Sequence, residues 1–220
     1  MSVRERLAEV RERIERVCAR SGRESSGITL VAVTKVFPAA VIREAYEAGL
    51  REFGENYVQE FESKAPQVQD LSGARYHLIG HLQSNKARKA AELFQVIQTV
   101  DSAKLARRLD EAGLPLEVML EVKLSTEEGK SGATPAELPG LIDAVRAAKN
   151  LRLTGLMTMP PWSDDAEPSR PYFHRLRELA AQFGLRNLSM GMSHDFEVAI
   201  EEGATHIRVG TALFGKRKKP

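Results

Sequence analysis

Lys35 ends an apolar, β-branched run, Leu30-Val31-Ala32-Val33-Thr34-Lys35, and Val36-Phe37-Pro38 follow it at once. A lysine at the carboxyl end of such a strand faces the mouth of an α/β fold, where ligands bind. Partial removal from water lowers its pKa and makes the amine a nucleophile toward aldehydes. A plain strand-end lysine would give the same segment, so the rest of the chain has to decide. The run Ser189-Met190-Gly191-Met192-Ser193-His194-Asp195 reads as a strand, a glycine turn and a helix start. Ser193 is its expected N-cap, and the N–H groups that follow are open to an anion; capping and phosphate binding can coexist. Next, His206-Ile207-Arg208-Val209-Gly210 opens into Thr211-Ala212-Leu213-Phe214-Gly215. Gly210 lets a backbone amide approach a phosphate closely, and Thr211 adds a hydroxyl. Asp195 counts against an anion here, because its carboxylate must turn away or pair with a cation. Arg208 shares a strand face with Gly210. A barrel-facing arginine needs a partner, and pairing with an acid such as Asp195 is the structural alternative.

These groups must be held by strands that end on one edge. Strand-like runs recur at 28–35, near 51–54, and at 75–80, 95–100, 116–122, 152–158, 188–191 and 206–210. Helical stretches lie between them, at 39–48, 58–68, 103–112, 135–149, 172–183 and 194–202. Gly49, Gly113, Gly184 and Gly203 stand just past helix ends, where glycine closes a helix. This alternation predicts a single-domain (β/α)8 barrel over residues 1–220, with an open doubly wound sheet as the alternative. In a barrel, the loops after strands seven and eight are the recurrent phosphate site. Leu7, Val10, Ile14 and Val17 mark an extra amphipathic helix within 1–21 that flanks or plugs the core. The proline- and acid-rich loop at 160–168 leaves the sixth strand, either as a cover for the barrel mouth or as a plain surface loop.

Other residues sort quickly. Asn56, in Phe53-Gly54-Glu55-Asn56-Tyr57, is a helix cap or a ligand contact. His77 and His81 are four apart across a strand and turn, without a cysteine or third histidine nearby, so a hydrogen-bonded structural role fits His77 better than a metal. Gly129-Lys130-Ser131-Gly132 imitates the end of a nucleotide loop, but Leu124 stands where that motif needs glycine.

Composition narrows the classes. The chain has 220 residues, 42% hydrophobic and 28% charged, with a net charge of +2. That balance gives no support for a nucleic-acid surface. One cysteine, Cys18, rules out an internal disulfide. With no signal-peptide core and no membrane-length apolar run, a cytoplasmic protein is expected. The basic run Lys216-Arg217-Lys218-Lys219, within a tail at 216–220, reads as a solvated end.

The segments LVAVTK, FGENYVQE, HLIGHLQSNK, GLMTM, MGMSHDF and IRVGTALFG, in order from about residue 28 to 215, resemble the YggS/PROSC family of pyridoxal phosphate homeostasis proteins. The resemblance implies the barrel of the alanine racemase N-terminal domain without its second domain. It implies pyridoxal 5'-phosphate held as a Schiff base on Lys35. Ser193, Gly210 and Thr211 match the phosphate cup, Arg208 the arginine facing the pyridine nitrogen, and Asn56 a cofactor-side asparagine. The family binds the cofactor without established turnover, which implies a carrier that buffers it or delivers it to pyridoxal-phosphate-dependent apoenzymes; for the chain itself a monomer is expected. An arginine only donates to the ring nitrogen and keeps it unprotonated, which weakens the ring as an electron sink. A racemase of weak activity is the alternative, and it needs a second base that Tyr46, Tyr57, Tyr76 and Tyr172 do not obviously supply. A cofactor-free aldolase using Lys35 is a third reading.

Overall fold

The structure, a computed structural model, describes residues 1–127 and 129–215. The basic tail at 216–220 lies outside the described residues. The strands are β1 (Thr29–Val33), β2 (Glu52–Glu55), β3 (Arg75–Leu78), β4 (Val96–Val100), β5 (Leu116–Glu121), β6 (Leu151–Met157), β7 (Asn187–Met192) and β8 (His206–Val209). They close in sequence order into one parallel barrel, with Thr29 opposite His206 and Ala32 opposite Val209 at the seam between β1 and β8. Parallel neighbours cannot be joined by tight hairpins, so each connection crosses over, mostly through a helix. Those helices are α2 (Ala39–Glu47), α3 (Val58–Lys64), α4 (Ala87–Leu93), α5 (Ala103–Asp110), α6 (Leu138–Arg146), α7 (Arg170–Gln182) and α8 (Phe196–Glu201). The N-terminal α1 (Val3–Arg20) and the short α9 (Thr211–Phe214) complete the set among the described residues. The predicted barrel is the observed one, and the open sheet is excluded.

Apolar periodicity decides which face of each helix is buried. In α1, Leu7, Val10, Ile14 and Val17 are buried, and the helix packs outside the barrel against α8 and α9. It flanks the core rather than plugging it. Ser2 and Glu5 close a reciprocal capping box at its start, and Arg13 lies over the Phe196 ring at 4.3 Å. Each large side chain buried this way contributes about 1.5–3 kcal/mol relative to exposure.

Several boundaries differ from the sequence expectation by a few residues, and three of the differences lie near the barrel mouth. Strand β1 stops at Val33, so Lys35 lies in the turn beyond it and not on the strand. Helix α3 stops at Lys64 instead of running to 68, because Pro66 turns Ala65–Gln67 into a 3₁₀ segment. Helix α8 starts at Phe196, with Asp195 and not Ser193 at its N-cap.

Candidate ligand site at the barrel mouth

The turn that carries Lys35 is clamped from below. Lys64, buried at the end of α3, donates to the Thr34 carbonyl at 3.1 Å and to both carboxylate oxygens of Glu55 at 3.0 and 3.1 Å. The Thr34 hydroxyl donates to the same Glu55 at 2.7 Å. Glu60 accepts from Lys64 at 2.6 Å and from the Val36 N–H at 2.5 Å. Val36 holds φ at 62°, a left-handed conformation that a β-branched residue rarely adopts. Its hydrogen bond to Glu60 helps to hold that conformation. Two acids and a lysine, all supplied by β2 and α3, therefore fix the backbone on both sides of Lys35. Lys35 itself is half-buried and lines the mouth.

Asn56 is set just past β2 by a close backbone approach. A Cβ added at Gly80 would lie 2.3 Å from the Asn56 carbonyl oxygen, so glycine is the residue this contact admits. The Thr99 hydroxyl donates to the Gly80 carbonyl at 2.8 Å and holds that loop down. Asn56 caps no helix, since Tyr57 precedes α3. Its Oδ1 is buried without a partner and lines the cavity.

The far wall comes from the ends of β7 and β8. Gly191 has φ of 89°, and an added Cβ would lie 2.5 Å from the Ala199 Cβ, so the chain can turn from β7 into α8 only with glycine there. Ser193 emerges from this turn, and its Oγ accepts the N–H groups of Gly210 at 3.2 Å and Ala212 at 3.3 Å. The expected N-cap role is therefore replaced by a bridge between two loops. The physical reason lies in Asp195, which takes the cap position itself. Its buried carboxylate accepts from the Met192 N–H at 2.6 Å and the Ser169 hydroxyl at 3.1 Å. That turns its charge away from the cavity and removes the objection raised by its place in the sequence. Gly210 has φ of −117°, which any residue can adopt, and an added Cβ would lie 3.4 Å from the Val33 side chain. Backbone strain does not explain this glycine.

Arg208 forms part of the floor. It is 3% exposed, donates through Nη1 to the Ser189 hydroxyl at 2.7 Å and through Nη2 to the Thr158 carbonyl at 3.0 Å. Burial pulls its guanidinium down to about 10, opposed at longer range by Asp195 and Glu121. The alternative of a direct ion pair with Asp195 does not hold, because Asp195 is engaged elsewhere. Beside the floor, Glu121 is buried with Oε2 unpartnered. Burial pushes its carboxyl up to about 7, Asp101 adds to the rise, and Arg208 opposes it.

These six residues, Lys35, Asn56, Ser193, Arg208, Gly210 and Thr211, line one cavity of about 470 Å³. That size fits a small-molecule ligand. Sequence reasoning missed much of the remaining lining: Val33, Ile79, Met159, Trp162, Met192 and His194. Trp162 comes from the proline- and acid-rich loop, and its ring centre lies 4.0 Å from that of His194. The loop thus supplies a wall of the mouth. His194 Nε2 lies 3.4 Å from Asp195 Oδ2 but completes no hydrogen bond. His77 has the structural role expected, between Glu52 at Nε2 and Gln98 at Nδ1, while His81 reaches Ser131 outside the barrel. Taken together, the mouth offers an amine, an orphan acceptor, hydroxyls and an N–H-rich loop pair, and a fixed cationic donor.

The chain is similar to known proteins along nearly its whole length. The alanine racemase N-terminal domain family matches residues 6–218. A pyridoxal phosphate homeostasis protein of Pseudomonas aeruginosa is 48% identical, covering 98% of this chain and 96% of its own. A second, from Aquifex aeolicus, is 42% identical over 99% of this chain and 100% of its own. The PipY protein of Synechococcus elongatus PCC7942, solved with PLP bound, superposes with a TM-score of 0.86 at 42% identity, covering 97% of this chain and all of that one. An alanine racemase of Clostridium difficile superposes with a TM-score of 0.75 at 12% identity, covering 99% of this chain and 57% of that one, which shows a shared fold.

Proposed function

Because the chain belongs to the pyridoxal phosphate homeostasis proteins, within the alanine racemase N-terminal domain family, we propose that its barrel-mouth cavity binds pyridoxal 5'-phosphate covalently at Lys35. The observation that carries this reading is the convergence of the six residues, from the ends of β1, β2, β7 and β8, on one cavity. The residues present fit the group. When bound, the cofactor supplies an aldehyde with which a lysine amine condenses, a C=N bond replacing C=O with loss of water. Ser193 and Thr211 offer hydroxyls, and the Gly210 loop its backbone, to a phosphate. Asn56 Oδ1 is an acceptor that lacks a donor until a ligand brings one. Arg208 presents N–H groups, and no acceptor, to a ring nitrogen.

The test is borohydride reduction followed by peptide mapping. The adduct is expected on Lys35, and Lys35→Ala should lose both it and the yellow chromophore. An adduct on Lys86, Lys123 or another lysine would overturn the assignment. Pyridoxal without phosphate should bind much more weakly, and equal affinity would remove the phosphate cup.

The role proposed is a monomeric, cytoplasmic carrier that holds the cofactor or passes it to dependent apoenzymes, over a single domain spanning 1–220 and without a nucleic-acid partner. Among the described residues, no helix is long and apolar enough to cross a membrane. Weak racemisation is the second reading. No tyrosine lines the cavity among the described residues. Tyr46 donates to the Ser72 carbonyl, and the buried Tyr76 donates to the Val68 carbonyl. Burial raises Tyr76 to about 12, which makes it a poor base at neutral pH. His194 is the cavity base that a racemase reading would have to use.

A further inference from the structure

The barrel interior is usually filled by branched aliphatic side chains. Here a file of polar groups threads it. Arg208 on β8 donates to the Ser189 hydroxyl on β7 at 2.7 Å. Ser189 donates to Gln98 Oε1 on β4 at 2.6 Å, through the barrel interior between strands that are not neighbours. Gln98 Nε2 meets His77 Nδ1 on β3 at 2.9 Å, and His77 Nε2 meets the Glu52 carboxylate at the foot of β2. Four of the five, Arg208, Ser189, Gln98 and His77, are at most 3% exposed. Burying such groups is costly unless every donor finds an acceptor.

The roles along the file follow from the Glu52 end and the placement of the Gln98 amide. The Glu52 carboxylate only accepts, so His77 donates to it from Nε2, and the Gln98 amide nitrogen set against Nδ1 makes that atom an acceptor. Gln98 turns its amide N–H to His77 and its oxygen to Ser189. Ser189 spends its proton on Gln98, and its lone pairs face Arg208. Every bond donates in one direction, from Arg208 down to Glu52. The guanidinium is gripped at Nη1 by this file and at Nη2 by the Thr158 carbonyl, which fixes the plane of its fork.

We propose that Ser189 and Gln98 are positioning residues for Arg208, holding its guanidinium at the angle that presents an N–H to the ring nitrogen of the bound cofactor. This rests on the cofactor reading above. It adds that recognition of the ring end is set by residues deep in the barrel that never touch the ligand. Arginine side chains carry large rotamer freedom, so an unheld guanidinium would lose much of a directional bond.

The test is a binding cycle between two ligands and two proteins. The ligands are pyridoxal 5'-phosphate and its analogue with the ring nitrogen replaced by C–H. The proteins are the wild type and Ser189→Ala, which removes one oxygen from the file; Gln98→Met, of similar volume, is the second variant should the first not fold. Wild type should prefer the natural cofactor by about tenfold, the size of one hydrogen bond to a charged group. Each variant should cut that preference to about two- to threefold while binding the analogue as wild type does and keeping the reducible adduct on Lys35. Parallel weakening toward both ligands would mean that the file merely supports the fold, and a preserved tenfold preference would mean that Arg208 needs no such support. Both results overturn the proposal while leaving cofactor binding intact. Failure of wild type to bind either ligand would instead overturn the cofactor reading itself, and this inference with it.

Discussion

The Ser193 hydroxyl oxygen accepts the Gly210 N–H at 3.2 Å, joining the loop after β7 to the loop after β8. The same oxygen takes the Ala212 N–H, so one side chain sets the spacing of the two loops at the proposed phosphate end. Ser193→Ala should weaken binding of pyridoxal 5'-phosphate about tenfold, the worth of a hydrogen bond or two. Affinity for pyridoxal should change little. Titration by visible absorbance measures both, and equal losses for the two ligands would place Ser193 outside the phosphate contact.

The Lys64–Glu55 pair sits under the reactive turn and is almost wholly buried. Removing one partner of a buried pair strands the other and typically costs about 3–5 kcal/mol. Lys64→Met should lose stability of that order in urea unfolding and should slow formation of the Lys35 adduct, because Thr34 and Val36 lose their clamp. A loss below about 1 kcal/mol would show that water reaches this cluster.

Glu121 gives a pH signature. Its folded-state value of about 7 stands above the usual 4.5, so the native state binds the extra proton between those values. Stability from this group is present below 4.5 and is lost as pH rises through 7, by on the order of 3 kcal/mol at most. Glu121→Gln should match wild type in acid and exceed it above neutrality. His206, pushed down to about 4 chiefly by burial, acts in the opposite sense. Its contribution is present above about 6.5 and is lost as pH falls toward 4, equally in both proteins. Urea unfolding across this range checks the difference, and a pH-independent gap would show that the Glu121 carboxyl is not held protonated by its surroundings.

Trp162 is the single tryptophan of the chain and lines the cavity. Its emission should be quenched saturably as the cofactor binds, in step with the visible chromophore. A chromophore that develops while emission stays constant would place the loop at 160–168 away from the bound ligand.

Amino-acid turnover should be slight. A positioned general base typically contributes about 10²–10⁴-fold, and among the described residues no tyrosine lines the cavity. Single enantiomers of alanine and serine incubated with the holo protein in deuterated water should show at most slow exchange at the α-carbon without inversion. Rapid racemisation abolished by Lys35→Ala would make this a small racemase, and its loss in His194→Ala as well would identify the second base.

Much of the barrel was legible from local pattern alone. β-branched runs, amphipathic spacing and glycines past helix ends are short-range signals, and they located all eight strands to within a few residues. Lys35, Arg208, Gly210 and Thr211 could be placed at strand ends for the same reason. Ser193 was found but given the wrong contact, because its sequence position suits a cap while Asp195, three-dimensionally tied to Ser169, takes that place. The Glu55–Lys64–Glu60 clamp, the orphan Glu121 and the file from Arg208 to Glu52 left no mark in the sequence. The clamp and the file join groups on different strands or helices, the Ser189–Gln98 bond spans 91 residues, and the burial of Glu121 is likewise set by the packing around it. Alternation along a strand says which side chains point inward. Only closure of the barrel decides which inward groups meet, and burial then requires each donor among them to find an acceptor.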